Sequence, residues 1–174
     1  MPRKKIRIVP LTGNSQKYGL PLHSAAWVSY KLPDLDPDPS TSDEVSNAKS
    51  KSAQKSYIFL AGGGGEGRSG IPNAVLLVEF DFTAKSLSNH PVSRFETVSD
   101  LPHRMAVHPR GDGVICSFPK SCGLYVINEE KSEEIKKLVL KKSDKLLTRL
   151  KDVGQQLALK FNNEGSALAA GGEM

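Results

Sequence analysis

Short apolar runs, separated by turn residues, make up most of the chain from residue 56 onward. Runs of this length bounded by Gly, Pro, Asn and Asp are typical of β-strands. An earlier apolar stretch at 18–30, which contains Trp27, predicts a first strand. The later runs lie at 57–61, 74–82, 93–97, 104–108, 114–117, 123–127, 155–161 and 166–172. The pattern predicts an all-β protein.

Residues 129–150 are the exception to this rhythm. Their apolar positions partly follow the spacing of one helical face, and Lys, Glu and Leu favour helices. These positions are Ile135, Leu138, Val139, Leu146 and Leu150. Taken alone, the segment predicts a short helix within 129–150.

An internal repeat organises the strands. Residues 105–116 align with residues 157–168, each as an apolar strand, a polar turn and a second apolar strand. The spacing of about 50 residues lies in the range of propeller blades that carry an insertion. Blades are unstable alone and pack against neighbours. We therefore expect a partial β-propeller of about two blades plus two strands.

Two segments differ in composition from this β-rich part. Residues 1–17 are basic and predict a disordered tail. Residues 31–55 contain three prolines, and five acids lie between Asp34 and Glu44. The segment 31–55 has few apolar residues, so burial of apolar surface cannot offset the conformational entropy that it would lose on folding. We expect a disordered insertion at 31–55 within a propeller that spans 18–174.

The net charge of +5 is unevenly distributed, with six basic residues and no acid in 1–33. A basic chain can bind nucleic acid or an anionic membrane. Aromatic residues are few and no nucleic-acid motif is present, so we expect solvated lysines and no nucleic-acid partner.

Apolar runs of about 18 residues and a signal peptide are also absent. Cys116 and Cys122 are expected to be reduced, buried thiols, without the ligand set of a zinc site.

The segment between the second and third strands contains six glycines in the nine positions 62–70. Glycine permits positive φ and close backbone approach. Gly62-x4-Gly67-Arg68-Ser69 nearly matches a P-loop, and two overlapping Gly-x-Gly-x-x-Gly patterns match the dinucleotide fingerprint. Both motifs need a helix to begin where the loop ends. Gly70 and Pro72 would break such a helix, so we expect this chain to bind no nucleotide.

The segment ends in Ile71-Pro72-Asn73. Proline stiffens the exit. The asparagine amide can coordinate a cation or hydrogen-bond a peptide, and carbonyls freed from strand pairing can bind a monovalent cation. A long flexible loop in a β protein is the plain alternative.

The segment 61–73 closely resembles the first-blade loop of the Sec-twelve-like family. Members of this family are membrane-anchored propellers that activate the small GTPase Sar for COPII coat assembly. Residues 16–22, 99–109 and 152–159 resemble the plant members of the family. The resemblance covers about 16–173 apart from the insertion.

The resemblance implies a seven-bladed parent propeller of the WD-repeat kind, and it favours strand over helix at 143–150. It implies that the loop is the exchange element, holds a potassium ion and presses on the switch regions of the GTPase. Asn73 would be the key exchange residue and a potassium ligand. The residues expected to contact the partner are Gly62, Gly63, Gly64, Gly65, Glu66, Gly67, Arg68, Gly70, Ile71 and Pro72.

The resemblance therefore predicts a guanine-nucleotide exchange factor for a Sar-type GTPase, without bond chemistry of its own. Its site of action would be the cytosolic face of the endoplasmic reticulum, at the start of transport to the Golgi. The parent family continues for more blades and a membrane anchor, so we expect a C-terminally truncated, cytosolic form. The alternatives are a non-catalytic WD-repeat scaffold in membrane-protein export, an inactive truncated fragment, and a nucleotide-binding enzyme.

Overall fold

The computed structural model describes residues 15–28, 55–66, 69–132, 135–144 and 154–172. Within these ranges every element is a strand and all strand pairs are antiparallel. The strands are β1 (Leu22–Trp27), β2 (Lys55–Gly62), β3 (Asn73–Asp81), β4 (Ser86–Leu87), β5 (Ser93–Val98), β6 (Met105–Val107), β7 (Gly113–Ser117), β8 (Cys122–Ser132), β9 (Ile135–Ser143), β10 (Gln156–Phe161) and β11 (Leu168–Gly172).

The strands form two blades and a hairpin. Blade 1 has the order β1-β2-β3, with β4 and β5 both paired to the far edge of β3. Blade 2 has the order β6-β7-β8-β9, and β10 pairs with β11. Strand β6 of blade 2 contacts β1 of blade 1 and β10 of the hairpin, and β5 of blade 1 contacts β9 of blade 2. This is a partial β-propeller, as the repeat predicts.

The main hydrophobic core lies between the two blades. Phe59, Val75 and Leu77 of blade 1 face Val114 and Tyr125 of blade 2 in one buried cluster. The opposite face of blade 1 carries a second cluster, formed by Leu60, Ala74, Leu76 and Val78 with Tyr18, Leu20, Ile58 and Leu87 packed around it. Strand β3 is therefore buried on both faces. A strand of this kind needs apolar residues at successive positions, which explains the continuous run from Ala74 to Val78.

The short helix predicted within 129–150 is wrong over the described part of that segment. Strand β8 continues to Ser132, and Ile135–Ser143 is β9, paired from Ser132↔Ile135 to Leu124↔Ser143. Leu138 and Leu140 are buried in the core between the blades. Burial at alternate positions of a paired strand outweighs the weak helix preference of Lys, Glu and Leu. Residues 145–150 lie outside the described residues.

The predicted turn between β10 and β11 is confirmed. The backbone N–H of Gly165, with φ +75°, donates to the carbonyl of Asn162 at 3.1 Å. The hairpin is attached to blade 2 through His108. Its Nε2 lies 3.2 Å from the carbonyl of Gly165, and its ring packs edge-on against Phe161.

Other predictions fall partly on residues that the structure does not describe. Residues 1–14 of the predicted tail and 29–54, which hold nearly all of the predicted insertion, lie outside the described ranges. Lys55, the last residue assigned to the insertion, begins β2.

Cys116 and Cys122 are both buried free thiols, as predicted. Burial raises the pKa of each thiol. Across the described ranges, no helix has the length and apolar character needed to cross a membrane.

Candidate functional site

The glycine loop, residues 62–72, joins the paired strands β2 and β3 at one end of blade 1. Gly62 pairs with Ala74 in the ladder between these strands, and β3 begins at Asn73. The strand–loop–strand setting predicted from the sequence is therefore confirmed. No helix follows the loop, so the phosphate-binding arrangement of the P-loop and dinucleotide motifs is not formed.

Asn73 lies at the base of the loop with 1% of its surface exposed. Its Oδ1 accepts a hydrogen bond from the N–H of Gly65 at 2.9 Å. Its Nδ2 donates to the carbonyl of Gly65 at 3.3 Å and to the carbonyl of Val98 at 3.0 Å. One side chain therefore substitutes for strand pairing inside the loop and ties the loop to β5.

The first part of the loop passes too close to its neighbours for any side chain larger than hydrogen. A Cβ on Gly62 would overlap the carbonyl of Pro21, and one on Gly63 would overlap Oδ1 of Asn73. A Cβ on Gly64 would overlap the hydroxyl of Ser69. The N–H of Gly63 also donates to Pro21 at 2.9 Å. The glycines therefore serve close packing of the loop against its own base.

The second part of the loop is exposed. Glu66, Gly70, Ile71 and Pro72 all face solvent, and Ile71 exposes 38% of its surface. Gly70 has φ +68° with open space around the position of a Cβ. Gly67 and Arg68 lie outside the described residues. The loop thus presents a polar and apolar tip on a tightly held base, a geometry suited to contact with a partner.

The predicted potassium ion can be tested against the oxygens around Asn73. Carbonyl and amide oxygens are hard ligands of the kind that alkali and alkaline-earth cations prefer. The nitrogen of the Asn73 amide points at the carbonyls of Gly65 and Val98. Its Oδ1 accepts the N–H of Gly65 with one lone pair, and the other lone pair is the one that a cation would use. Reversing the amide would set its NH₂ against the N–H of Gly65. The hydrogen bonds of Asn73 therefore shape the loop base, and potassium binding by the loop stays a prediction of the resemblance.

Sequence reasoning missed three residues beside the loop. The Nε2 atom of His23, on β1, lies 3.4 Å from the carbonyl of Gly63. The ring of His103 lies 5.8 Å from that of His23, measured between centroids. Val98, whose carbonyl holds Asn73, has φ +58° and is 82% exposed. No motif or ligand spacing in the sequence indicates the two histidines, and no sequence signal indicates Val98.

The fold and the loop together define a propeller-type β protein that holds a protruding, asparagine-anchored loop on its first blade. The chain is 45% identical over 167 residues to SEC12-like protein 2 from Arabidopsis thaliana, and the match covers 92% of this chain. It spans 41% of the length of that relative. No family model matches the chain, and no solved structure matches it. The chain belongs to the Sec-twelve-like family over the aligned region.

Proposed function

We propose that this chain promotes guanine-nucleotide exchange on a Sar-type small GTPase through its glycine loop. Membership of the Sec-twelve-like family supports a GTPase as the partner. The observation that carries the proposal is the buried amide of Asn73, which fixes the base of the loop with three hydrogen bonds. A loop with a fixed base and an exposed tip can hold a partner in a conformation that the partner rarely adopts alone.

The physical basis of exchange is differential affinity. The exchange factor must bind the nucleotide-free GTPase more tightly than the GDP-bound form, and that difference weakens GDP binding by the same factor. A loop that had to become ordered on binding would lose part of this free energy to ordering entropy. Asn73 reduces that loss, because the loop base is already shaped before the partner arrives.

The contacts to the GTPase are assigned to the exposed part of the loop. Ile71 and Pro72 supply apolar surface, and Glu66 supplies a charge. Gly67 and Arg68 are included from the resemblance alone. We place the reaction at the cytosolic face of the endoplasmic reticulum, at the start of COPII coat assembly. Potassium binding by the loop remains a prediction of the resemblance, and no step of the proposed exchange depends on it.

The test is release of a fluorescent GDP analogue from a Sar-type GTPase, measured with the wild-type chain, Asn73→Ala and Asn89→Ala. Asn89 is the matched control, because its amide is exposed and bonds to Gln16 instead of the loop. Asn73→Ala loses three hydrogen bonds at the loop base. We therefore expect it to accelerate release of the GDP analogue about tenfold less than the wild type does, or less still. Equal rates for all three proteins would overturn the role of Asn73. Binding without any acceleration would instead favour a scaffold.

A further inference from the structure

Two histidines lie together beside the glycine loop, and an arginine follows one of them in the sequence. We call these residues the histidine rim: His23, His103 and Arg104. His23 is exposed on β1, and its Nε2 lies 3.4 Å from the carbonyl of Gly63 in the loop. The His103 ring is half-buried, with its centroid 5.8 Å from that of His23. Arg104 is exposed and follows His103 directly.

The two rim residues next to blade 2, His103 and Arg104, have a firmly held backbone. The N–H of His103 donates to the carbonyl of Ser117 at 2.9 Å, and the N–H of Arg104 donates to the hydroxyl of Ser117 at 3.1 Å. Ser117 also donates its own N–H to the carbonyl of Arg104 at 2.8 Å, and it is fully buried in β7. The side chains of His103 and Arg104 therefore project from a fixed backbone and not from a loose connection.

The segment between β5 and β6, which carries His103 and Arg104, also approaches the glycine loop. Leu101, two residues before His103, lies 3.8 Å from the position that a Cβ on Gly65 would occupy. A partner bound to the exposed part of the loop, which begins at Glu66 next to Gly65, would therefore lie close to the rim.

The two side chains that shift the pKa of His103 are both basic. Burial, His23 and Arg104 each lower the pKa of His103, in that order of size. Of the elements packed against it, β1 contributes His23, its own connection contributes Arg104, and β7 contributes the neutral Ser117. The carbonyl of Gly63 in the loop lies against His23. Within the described part of the chain, no ion pair involves any of the three rim side chains.

We propose that the histidine rim binds an acidic side chain on the surface of the protein that the glycine loop engages. The proposal rests on the proposed function, since it assigns a second contact to the same partner. A carboxylate placed beside the two imidazoles would relieve the repulsion that His103 experiences from His23 and Arg104, and it would gain charge-assisted hydrogen bonds. Because imidazole is cationic only when protonated, this contact should strengthen as the pH falls.

The experiment measures the affinity of the chain for the GTPase at pH 7.5 and pH 6.0, in low and high salt. The variants are His103→Gln, Arg104→Gln and the double variant His23→Gln/His103→Gln. Lys85→Asn is the charge-matched control, since Lys85 is exposed in the turn after β3, at the opposite end of that strand from Asn73. Its φ of +51° suits asparagine. Thermal melts check that every variant folds.

The wild type and the control should bind about fivefold more tightly at pH 6.0 than at pH 7.5, and this gain should disappear in the double variant and shrink at high salt. Arg104→Gln should weaken binding at both pH values. Rim variants that bind as the wild type does, at both pH values, would overturn the rim and leave the proposed function intact.

A second measurement separates the rim from the proposed function. The imidazole resonances of His103 are followed by NMR while a short Glu-rich peptide or inorganic phosphate is added to the chain. A shift with the peptide but not with phosphate supports a protein carboxylate, even if the GTPase fails to bind and the proposed function falls. A shift with phosphate alone would contradict the carboxylate. No shift with either would overturn the rim.

Discussion

The side-chain amide of Asn73 donates a hydrogen bond to the carbonyl of Val98 at 3.0 Å, across 25 residues of chain. Val98 has φ +58° and exposes 82% of its surface. The ladder between β3 and β5 shifts register at this point, from Asn73↔Val98 to Ala74↔Glu96. The base of the glycine loop is thus attached to a bulge in the neighbouring strand, at a β-branched residue in a backbone conformation that such residues rarely adopt.

Replacing Val98 by asparagine should stabilise the protein. Asparagine tolerates the left-handed region far better than a β-branched residue, and the bond from Asn73 uses only the backbone carbonyl. We expect the free energy of unfolding to rise by about 1 kcal/mol, measured by urea denaturation. Leu157→Asn is the control, since Leu157 is also exposed and lies at a register shift of the ladder between β10 and β11, but its φ is not positive. Equal changes in the two variants would show that the left-handed backbone at Val98 costs nothing.

Adding a methyl group at Gly63 should disrupt the loop base. A Cβ there would overlap Oδ1 of Asn73 and lie 2.5 Å from its Cα, and Gly63 has φ +148°. We expect Gly63→Ala to lower the free energy of unfolding by about 1–3 kcal/mol and to reduce exchange activity. Gly171→Ala in β11 is the matched control, because nothing lies within 4 Å of its Cβ position. A Gly63→Ala protein as stable and active as this control would contradict the close packing described for the loop.

The strands around the loop could be predicted because burial, which fixes them in the fold, is visible in the sequence as apolar runs. The apolar run at 74–78 is buried on both faces of β3, so every residue in it must be apolar. The region of β9 could not be predicted in the same way. Its Lys137 and Lys141 flank the buried Leu138 and Leu140, and spacing over so few residues fits a helix as well as a strand. Pairing with β8, a contact outside the segment, decides between them.

Stability should depend on pH through His103. Its folded-state pKa lies below the ordinary value of 6.5, mainly because of burial and then because of His23 and Arg104. The unfolded chain therefore binds a proton more readily, so the contribution of His103 is complete above pH 6.5 and is lost as the pH falls through the folded-state pKa. The melting temperature should fall less between pH 7.5 and pH 5.5 in His103→Gln than in the wild type.

The control for this prediction is His90→Gln, which removes an exposed imidazole from the connection between β4 and β5. It should keep the pH dependence of the wild type. If His103→Gln and His90→Gln change the pH dependence equally, the burial and like charges around His103 have no effect on folding.

The candidate site could be predicted only in part. The glycine density and the exit through Pro72 mark the loop in the sequence, and the resemblance singles out Asn73. The partners of Asn73 could not be found in this way, because they are backbone atoms of Gly65 and Val98, and backbone groups leave no sequence signal. His23 and His103 are 80 residues apart in the numbering and meet only because β1 of blade 1 lies beside β6 of blade 2.

The central claim is that the loop held by Asn73 gives this chain a preference for the nucleotide-free GTPase. The most direct measurement is the affinity of the wild type and of Asn73→Ala for a Sar-type GTPase in two states, GDP-bound and stripped of nucleotide. We predict that the wild type binds the stripped form at least about tenfold more tightly, and that Asn73→Ala loses most of this difference. A wild type that binds both states equally, or an Asn73→Ala variant that keeps the full preference, would contradict the account.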